Sequence, residues 1–413
     1  MFVSRLALDD FRSWHRLVVD FRPGLNVLFG ANGLGKTNIV EALEVLSTGS
    51  SHRAASSVPL VRAHESRATI RANVEDDGAT TLYEVTIPVR GSNRARIDSG
   101  KSLYMRDVVG RVPSVLFSPE DQRLVSADPA GRRSFLNQVA SQLTLDYYDA
   151  LQRFNQTARQ RSALLRQLSQ QRMAGEPVDA ALSGLEIWTG QFIESGMAVT
   201  RMRSHVIERL GAPFSRIYGE LAGEGQSARL AYAPSFDEVM HAGDGADDAA
   251  GADDAAADMQ IHAAISRHFQ RIYPGEVARA QNLIGPHRDD VIVELNGLPA
   301  REYASNGEMW TLALALKMAL FELLRDTRGD EPLLILDDVF AQLDESRRRQ
   351  IVDFARRQGQ VLITMAAATD MPEGLDAHRI DVGRLKDGGD ADGDGVDARM
   401  AALVAAAAGR RNA

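Results

Sequence analysis

The stretch Gly30-Ala31-Asn32-Gly33-Leu34-Gly35-Lys36-Thr37 carries the residue types that hold a polyphosphate. It fits G-x-x-x-x-G-K-[ST] at every fixed position. An apolar, strand-like run, Leu25 to Phe29, precedes it, and helical spacing through Ile39, Ala42, Leu43 and Leu46 follows it. The glycines let the backbone fold around a phosphate without Cβ clashes. The N–H groups then form an anion nest, with a helix dipole behind them. Lys36 is placed to reach the β- and γ-phosphates of ATP, and the Thr37 hydroxyl to coordinate Mg²⁺. Lysine occurs only at positions 36, 101, 317 and 386, arginine supplying the rest of the positive charge, so a lysine in this loop is informative.

A phosphate loop needs an acidic partner at the end of a neighbouring strand. Leu333-Leu334-Ile335-Leu336-Asp337-Asp338 supplies one, its apolar run fitting a buried parallel strand. Asp337 is expected to hold Mg²⁺, directly or through water, and Asp338 to orient or deprotonate the attacking water. Glutamate is the usual residue at the second position. Aspartate is shorter by a methylene, so slow hydrolysis is expected.

Ser305-Asn306-Gly307-Glu308 precedes a strongly apolar helix from Met309 to about Arg325. Ser305 and Glu308 have the spacing of an N-terminal capping box. The same helix end, with Gly307, can bind a phosphate. In ATPases of the ABC class an S-x-G-[QE] element does so in trans, on the γ-phosphate held by the other subunit. Leu343-Asp344 fits either the subunit-contacting loop of that class or a helix cap before Glu345. Thr364, on the strand-like run Val361 to Met365, is a candidate γ-phosphate sensor. The expected chemistry therefore falls on Lys36, Asp337, Asp338 and Ser305. Nucleotide contacts fall on Gly30 through Thr37, Ser305, Gly307, Glu308 and Asp344, and Mg²⁺ on Thr37 and Asp337.

The elements that must position these residues are mixed. Alternation at Val3–Leu8 and Leu17–Phe21, and runs at Ala68–Val74, Thr81–Val89 and Ser114–Phe117, read as strands. From about Gly131 to Gly225 helix formers dominate, with Leu136, Val139, Leu143, Tyr147, Leu151 and Phe154 three or four apart. The periodic stretches are too short for a long coiled coil. The fold class expected is α/β: an ABC-type ATPase head split by a mainly helical arm. Its boundaries are 1–130 for the first part of the head, 131–275 for the arm, 276–386 for the rest of the head and 387–413 for a disordered tail. A disordered acidic loop is expected near 241–259. In the tail, Asp390-x-Asp392-x-Asp394-Gly395 opens like a calcium loop, but Ala401 stands where the twelfth position needs glutamate, so it reads as solvated acid.

Composition sets the outer limits. A chain of 413 residues suggests two or three structural units. With 44% hydrophobic and 25% charged residues it is neither collagen-like nor fully disordered. The absence of cysteine excludes disulfides and Cys-ligated metal centres. No apolar run of membrane-spanning length and no signal-peptide core are present, so the expected location is cytoplasmic, with no membrane partner. The net charge of −9 argues against nucleic acid. However, Asp237 to Asp258 holds acids and no Lys or Arg, and without that stretch the charge is about −1. A local basic surface is then allowed, with Arg153, Arg159, Arg161 and Arg166 as candidate DNA-phosphate contacts.

Lys36 and Ser305 lie about 270 residues apart, much farther than in an ABC transporter ATPase. A head split by a modest helical insertion resembles the RecF family within the SMC group. The resemblance rests on Leu8-Asp9-Asp10-Phe11-Arg12, Gly24 to Gly33, Ser51-His52-Arg53, Leu116 to Asp121, Asp128-Pro129 and Arg132 to Leu136. It continues through Gly285-Pro286-His287-Arg288-Asp289-Asp290, Tyr303 to Glu308 and Leu336 to Asp344, and so covers almost the whole chain. It implies a weak DNA-dependent ATPase that dimerises on ATP and binds single-stranded and gapped double-stranded DNA. It further implies work with RecR and RecO to help load RecA in recombinational repair and replication, and a need in the SOS response. His52 and Arg53 are candidates to approach the nucleotide. His287 and Asp289 also admit a metal or nuclease reading, without a carboxylate-rich constellation to support it. The alternatives are an SMC-like DNA-processing nuclease and another ABC-class ATPase, such as a transport subunit.

Overall fold

The computed structural model describes all residues except 55, 145, 176, 178, 224, 241–253, 344, 368–375 and 392–413. The chain opens with an antiparallel hairpin, β1 (Phe2–Phe11) and β2 (Trp14–Asp20). Next come β3 (Gly24–Phe29), the phosphate loop and α1 (Lys36–Thr48). β4 (Arg67–Asp76), β5 (Ala79–Pro88), β6 (Arg94–Ile97) and β7 (Leu103–Tyr104) complete a six-stranded sheet in the order β2-β1-β4-β5-β6-β7.

β8 (Ser114–Phe117) then leads through α2 (Arg123–Ser126) and α3 (Pro129–Leu143) into the helical arm, α4 (Tyr147–Ala174) and α5 (Asp179–Ala222). After β9 (Ala228–Ala233) and α6 (Asp254–Arg279) the chain returns through β10 (Asp290–Leu295), β11 (Leu298–Pro299) and α7 (Ala300–Tyr303). The last part holds α8 (Asn306–Arg328), β12 (Leu333–Asp337), α9 (Glu345–Ala355), β13 (Gln360–Met365), β14 (His378–Asp381) and α10 (Val382–Ala391).

The sheet that positions the site is parallel and five-stranded, ordered β14-β3-β13-β12-β8. β8, β12 and β13 are near-continuous apolar runs, buried throughout, because both faces are covered. Leu28, Leu116, Leu333, Ile335 and Leu362 point into a core shared with α1 and the six-stranded sheet. Val27, Val115, Phe117, Leu334, Leu336, Val361 and Ile363 point into a second core shared with α8 and the arm helices. The period-two alternation of side chains thus joins two cores through one sheet.

The arm is a helical hairpin. α4 ends on Gly175, whose φ of 70° is the left-handed conformation that glycine adopts without cost. The two helices run antiparallel: Phe154 packs on Phe192 near the head, and Leu165 and Leu168 meet Ala181 and Leu185 near the turn. At 1.5 Å per residue the 28 residues of α4 extend roughly 40 Å, well short of a long coiled coil.

Three features differ from expectation. The stretch near 241–259 is not a loop throughout, since α6 begins at Asp254; residues 241–253 lie outside the described residues. The tail expected from 387 is helical to Ala391, and the rest of it, with the calcium-like motif beyond that point, lies outside the described residues. A small antiparallel sheet, β11-β10-β9, adds strands absent from the sequence reading, β9 within the expected mainly helical arm and β10 and β11 within the expected second part of the head. Its strands are short, and β9 alternates only Ala228 and Leu230 inward, too weak a period to read. Among the described residues no helix is long and apolar enough to cross a membrane.

Candidate nucleotide site

The phosphate loop leaves β3 and wraps the start of α1. Gly30, Gly33 and Gly35 have φ of 150°, 86° and 98°. At Gly35 the requirement for glycine is also steric. A Cβ there would lie 2.8 Å from both Ser13 Oγ and Trp14 Nε1 of the β1–β2 turn, and the Trp14 indole donates to Gly35 O at 3.1 Å. Gly35→Ala therefore meets both a strained φ and a clash, a cost of about 1–3 kcal/mol. We expect at least tenfold weaker binding of a fluorescent ATP analogue. Thermal unfolding should move less, because the strain is confined to the loop.

Lys36 is buried, and its Nζ donates to Gly30 O at 2.6 Å and Ala31 O at 3.1 Å. The ammonium is thereby held over the loop. Removal from water lowers its pKa below the ordinary lysine value, opposed by the nearby Asp338 and Asp337 carboxylates.

Sheet order brings the acids to the loop. β13 lies between β3 and β12, so Leu28, Thr364 and Asp337 stand in one row across the strands. Thr37, on the first turn of α1, donates to Asp337 Oδ1 at 3.1 Å, and Thr364 donates to the same oxygen at 2.6 Å. Burial raises the pKa of Asp337; the Thr364 and Thr37 hydroxyls and the charge of His52 pull it back. A hydroxyl and a carboxylate oxygen side by side, the carboxylate desolvated, suit a hard divalent cation. Mg²⁺ commonly takes one or two protein oxygens and completes its shell with phosphate and water. Asp338 follows in the left-handed conformation, φ 52°, and its N–H donates to Thr364 Oγ1 at 2.9 Å. Thr364 thus contacts the Asp337 carboxylate and the Asp338 backbone.

Behind the loop, α1 carries two fully enclosed carboxylates that sequence reasoning did not single out. Glu41 accepts from Arg12 Nε at 2.9 Å and from Arg53 Nη1 at 3.2 Å, with Ser51 on its other oxygen. Glu44 accepts from His52 Nδ1 at 2.7 Å and Gln138 Nε2 at 2.9 Å. Burial disfavours the charged form of His52, but the hydrogen bond and charge of Glu44 outweigh it and raise its pKa. Arg53 also donates to Asn38 Oδ1 at 3.0 Å, so both candidates are tied to α1 just behind its first turns. Asn38, Glu41 and Glu44 recur every third residue and so look like a solvated face. The covering residues come from three other segments.

The α8 terminus is a separate surface. Ser305 Oγ accepts from Glu308 N at 3.3 Å, while Glu308 Oε2 accepts from Ser305 N at 2.8 Å and from Ser305 Oγ at 2.7 Å. The capping box is formed, and Ser305 is exposed. Gln122, in the turn after β8, donates to Asn306 O at 3.2 Å. Asp344 lies outside the described residues.

Two other expectations change. Arg161 is not available to DNA: it is 1% exposed and paired with fully buried Glu276 through 2.9 and 2.6 Å hydrogen bonds, with Asn282 at 2.7 Å. Its guanidinium also lies 4.4 Å from the Phe269 ring centroid. Arg153, Arg159 and Arg166 are exposed on the same helix. Asp289 is likewise a structural anchor. It takes Arg203 at 2.7 Å and Tyr232 on Oδ2, and Ser235 N at 2.8 Å on Oδ1. His287 stacks on Phe154, and burial lowers its pKa to about 4.

Residues 2–381 match the family model described as RecF/RecN/SMC N terminal domain. The chain is 61% identical over 386 residues to the DNA replication and repair protein RecF of Bifidobacterium longum subsp. infantis, covering 93% of this chain and 90% of that one. It is 60% identical over 418 residues to the RecF of Bifidobacterium adolescentis, covering 100% and 98%. Among solved structures, the recombination mediator protein RecF-ATPrS of the RecFOR pathway superposes with a TM-score of 0.77 at 26% identity, covering 92% of this chain and 96% of that one. By the family match over residues 2–381 and these relatives, the chain belongs to the RecF family of DNA replication and repair proteins.

Proposed function

We propose that this chain is an ATP-driven DNA-binding switch that acts as a dimer in recombinational repair. One observation carries the reading. Lys36, Thr37, Asp337, Asp338 and Thr364 converge at the carboxyl ends of the three central strands of the parallel sheet, while the α8 terminus, with Ser305 exposed and Gly307 half-buried, is a different surface. Each protomer presents one half of a phosphate site and the complement of another. Closing two copies around two ATP molecules completes both.

On this reading the loop N–H groups and Lys36 bind the phosphates. Thr37 and Asp337 hold Mg²⁺, which when bound neutralises phosphate charge. Thr364 fixes Asp337 and the backbone of Asp338. Asp338 orients the attacking water, and its short side chain makes turnover slow. The N-terminus of α8 meets the γ-phosphate of the partner's ATP, its dipole favouring the anion. Hydrolysis removes the bridging γ-phosphate, and the dimer loses the contact that distinguishes ATP from ADP. We further assign 1–130 and 276–386 to the head and 131–275 to the arm, whose exposed Arg153, Arg159 and Arg166 are candidate DNA contacts.

The relative from the RecFOR pathway supports a role beside RecR and RecO in helping to load RecA at single-strand/double-strand gaps. The test is binding to gapped DNA with ATP or ADP across a salt series. ATP should tighten binding, and log affinity should fall linearly with log salt at a slope near −0.9 per neutralised phosphate. Equal affinity with ATP and ADP, or affinity flat across salt, would sink the reading.

A further inference from the structure

A short turn after β9 and the middle of α6 bring together three metal-ligating side chains outside the nucleotide site. Asp237 and Glu238 stand in the 3₁₀ turn Asp237–Val239, and His268 on α6. One ligand atom from each lies within 4.8 Å of the other two. Glu238 and His268 are half-buried, and Asp237 is exposed. Glu238 Oε1 and His268 Nδ1 are 2.9 Å apart. Glu238 Oε2 is enclosed and has no hydrogen-bond partner among the described residues. A carboxylate oxygen held away from water without a donor is costly, and a cation beside it relieves the cost.

The backbone beneath these donors is fixed. Phe236, next to Asp237, is fully buried, and its ring meets that of Phe269, next to His268, edge to face at 6.2 Å. Both rings also pack on Phe192. Ser235 N donates to Asp289 Oδ1 at 2.8 Å, and Ser235 Oγ accepts from Gly285 N at 2.9 Å. Each side of the cluster is thus held by the aromatic core of the arm, which presets the donors for an ion.

We propose that Asp237, Glu238 and His268 bind a divalent transition-metal ion of the Zn²⁺ class, which clips the turn after β9 to α6. An imidazole nitrogen beside two carboxylates selects such an ion over Mg²⁺, which prefers oxygen ligands alone. Tetrahedral Zn²⁺ with bonds of about 2.0–2.1 Å spaces its ligand atoms about 3.3 Å apart, so the widest gap must close by about 1.5 Å or less. Glu238 and His268 already stand near that spacing, and a rotamer change of exposed Asp237 supplies the rest. Water completes the shell. The role is structural: the ion ties residue 238 to residue 268 and stabilises the folded arm by mass action. It is independent of the nucleotide reading.

The test titrates chelator-treated, full-length protein with Zn²⁺ in excess Mg²⁺, read by calorimetry and by thermal unfolding. Wild type is run beside Asp237→Asn, Glu238→Gln, His268→Gln and Asp337→Asn. Wild type should take up Zn²⁺ despite the Mg²⁺ and melt at a higher temperature with Zn²⁺ than without. Glu238→Gln and His268→Gln should bind at least about tenfold more weakly and lose the Zn²⁺-dependent shift. Asp237→Asn, on an exposed residue, should weaken binding while melting as chelated wild type does, so that a folding defect does not account for the loss. Asp337→Asn should keep the shift, which separates this site from the nucleotide's metal position. The proposal is overturned if wild type shows no Zn²⁺-dependent shift, or if Mg²⁺ abolishes it. A shift equal to wild type in Asp237→Asn and His268→Gln, or one lost only in Asp337→Asn, overturns it as well.

Discussion

Lys36→Met is expected to bind ATP at least about a hundredfold more weakly than wild type and to show no measurable hydrolysis. The ammonium supplies charge-assisted hydrogen bonds to phosphate, worth about 1.5–3 kcal/mol each. Two such bonds correspond to a factor of about one hundred or more. The substitution should leave the fold alone. Methionine keeps the unbranched stem, and the carbonyls of Gly30 and Ala31 that lose their donor lie at the accessible rim of the loop. Titration with a fluorescent ATP analogue, with thermal unfolding as the control, decides the matter. Wild-type affinity in a folded Lys36→Met protein would mean that the loop does not bind phosphate through this residue.

The largest effect on stability is expected at Arg161. Arg161→Ala strands the fully buried carboxylate of Glu276, together with Asn282 Oδ1. Removing one partner of a buried pair costs about 3–5 kcal/mol, most of it the penalty of leaving a charge unpaired. For a chain of this size that lowers the melting temperature by about 3–6 °C. Arg153→Ala and Arg166→Ala, on the exposed face, should melt as wild type does and weaken DNA binding with a shallower salt slope. An Arg161→Ala protein that melts normally and loses only DNA affinity would return Arg161 to the DNA surface.

Arg161 also shows where sequence reasoning fails and why. Tyr147, Ala150, Phe154, Thr157, Arg161, Leu165 and Leu168 are buried in α4 and recur every three or four residues. Arg161 lies on the apolar stripe, which is a readable signal, but side-chain type suggested a solvated face. The phosphate loop and the acidic strand were legible because their chemistry is local: a fixed spacing of glycines, one lysine, and a strand ending in two acids. The strands around them were legible because both-face burial leaves unbroken apolar runs. What was not legible is long-range pairing. Nothing near Glu44 in sequence announces Gln138, and nothing near Gly35 announces Trp14 behind it. Glu41 and Glu44 look solvated until Arg12, Arg53 and His52 are folded over them.

The central claim is that ATP on the phosphate loop assembles the dimer that holds DNA. Sedimentation velocity tests it most directly, with wild type and Lys36→Met each run alone, with ATP–Mg²⁺, and with ATP–Mg²⁺ and a gapped DNA. Wild type should shift from monomer to dimer with ATP and co-sediment with DNA as a dimer, while Lys36→Met stays monomeric and unbound. If the two proteins sediment alike under every condition, the phosphate loop does not control assembly and the switch does not exist in this chain.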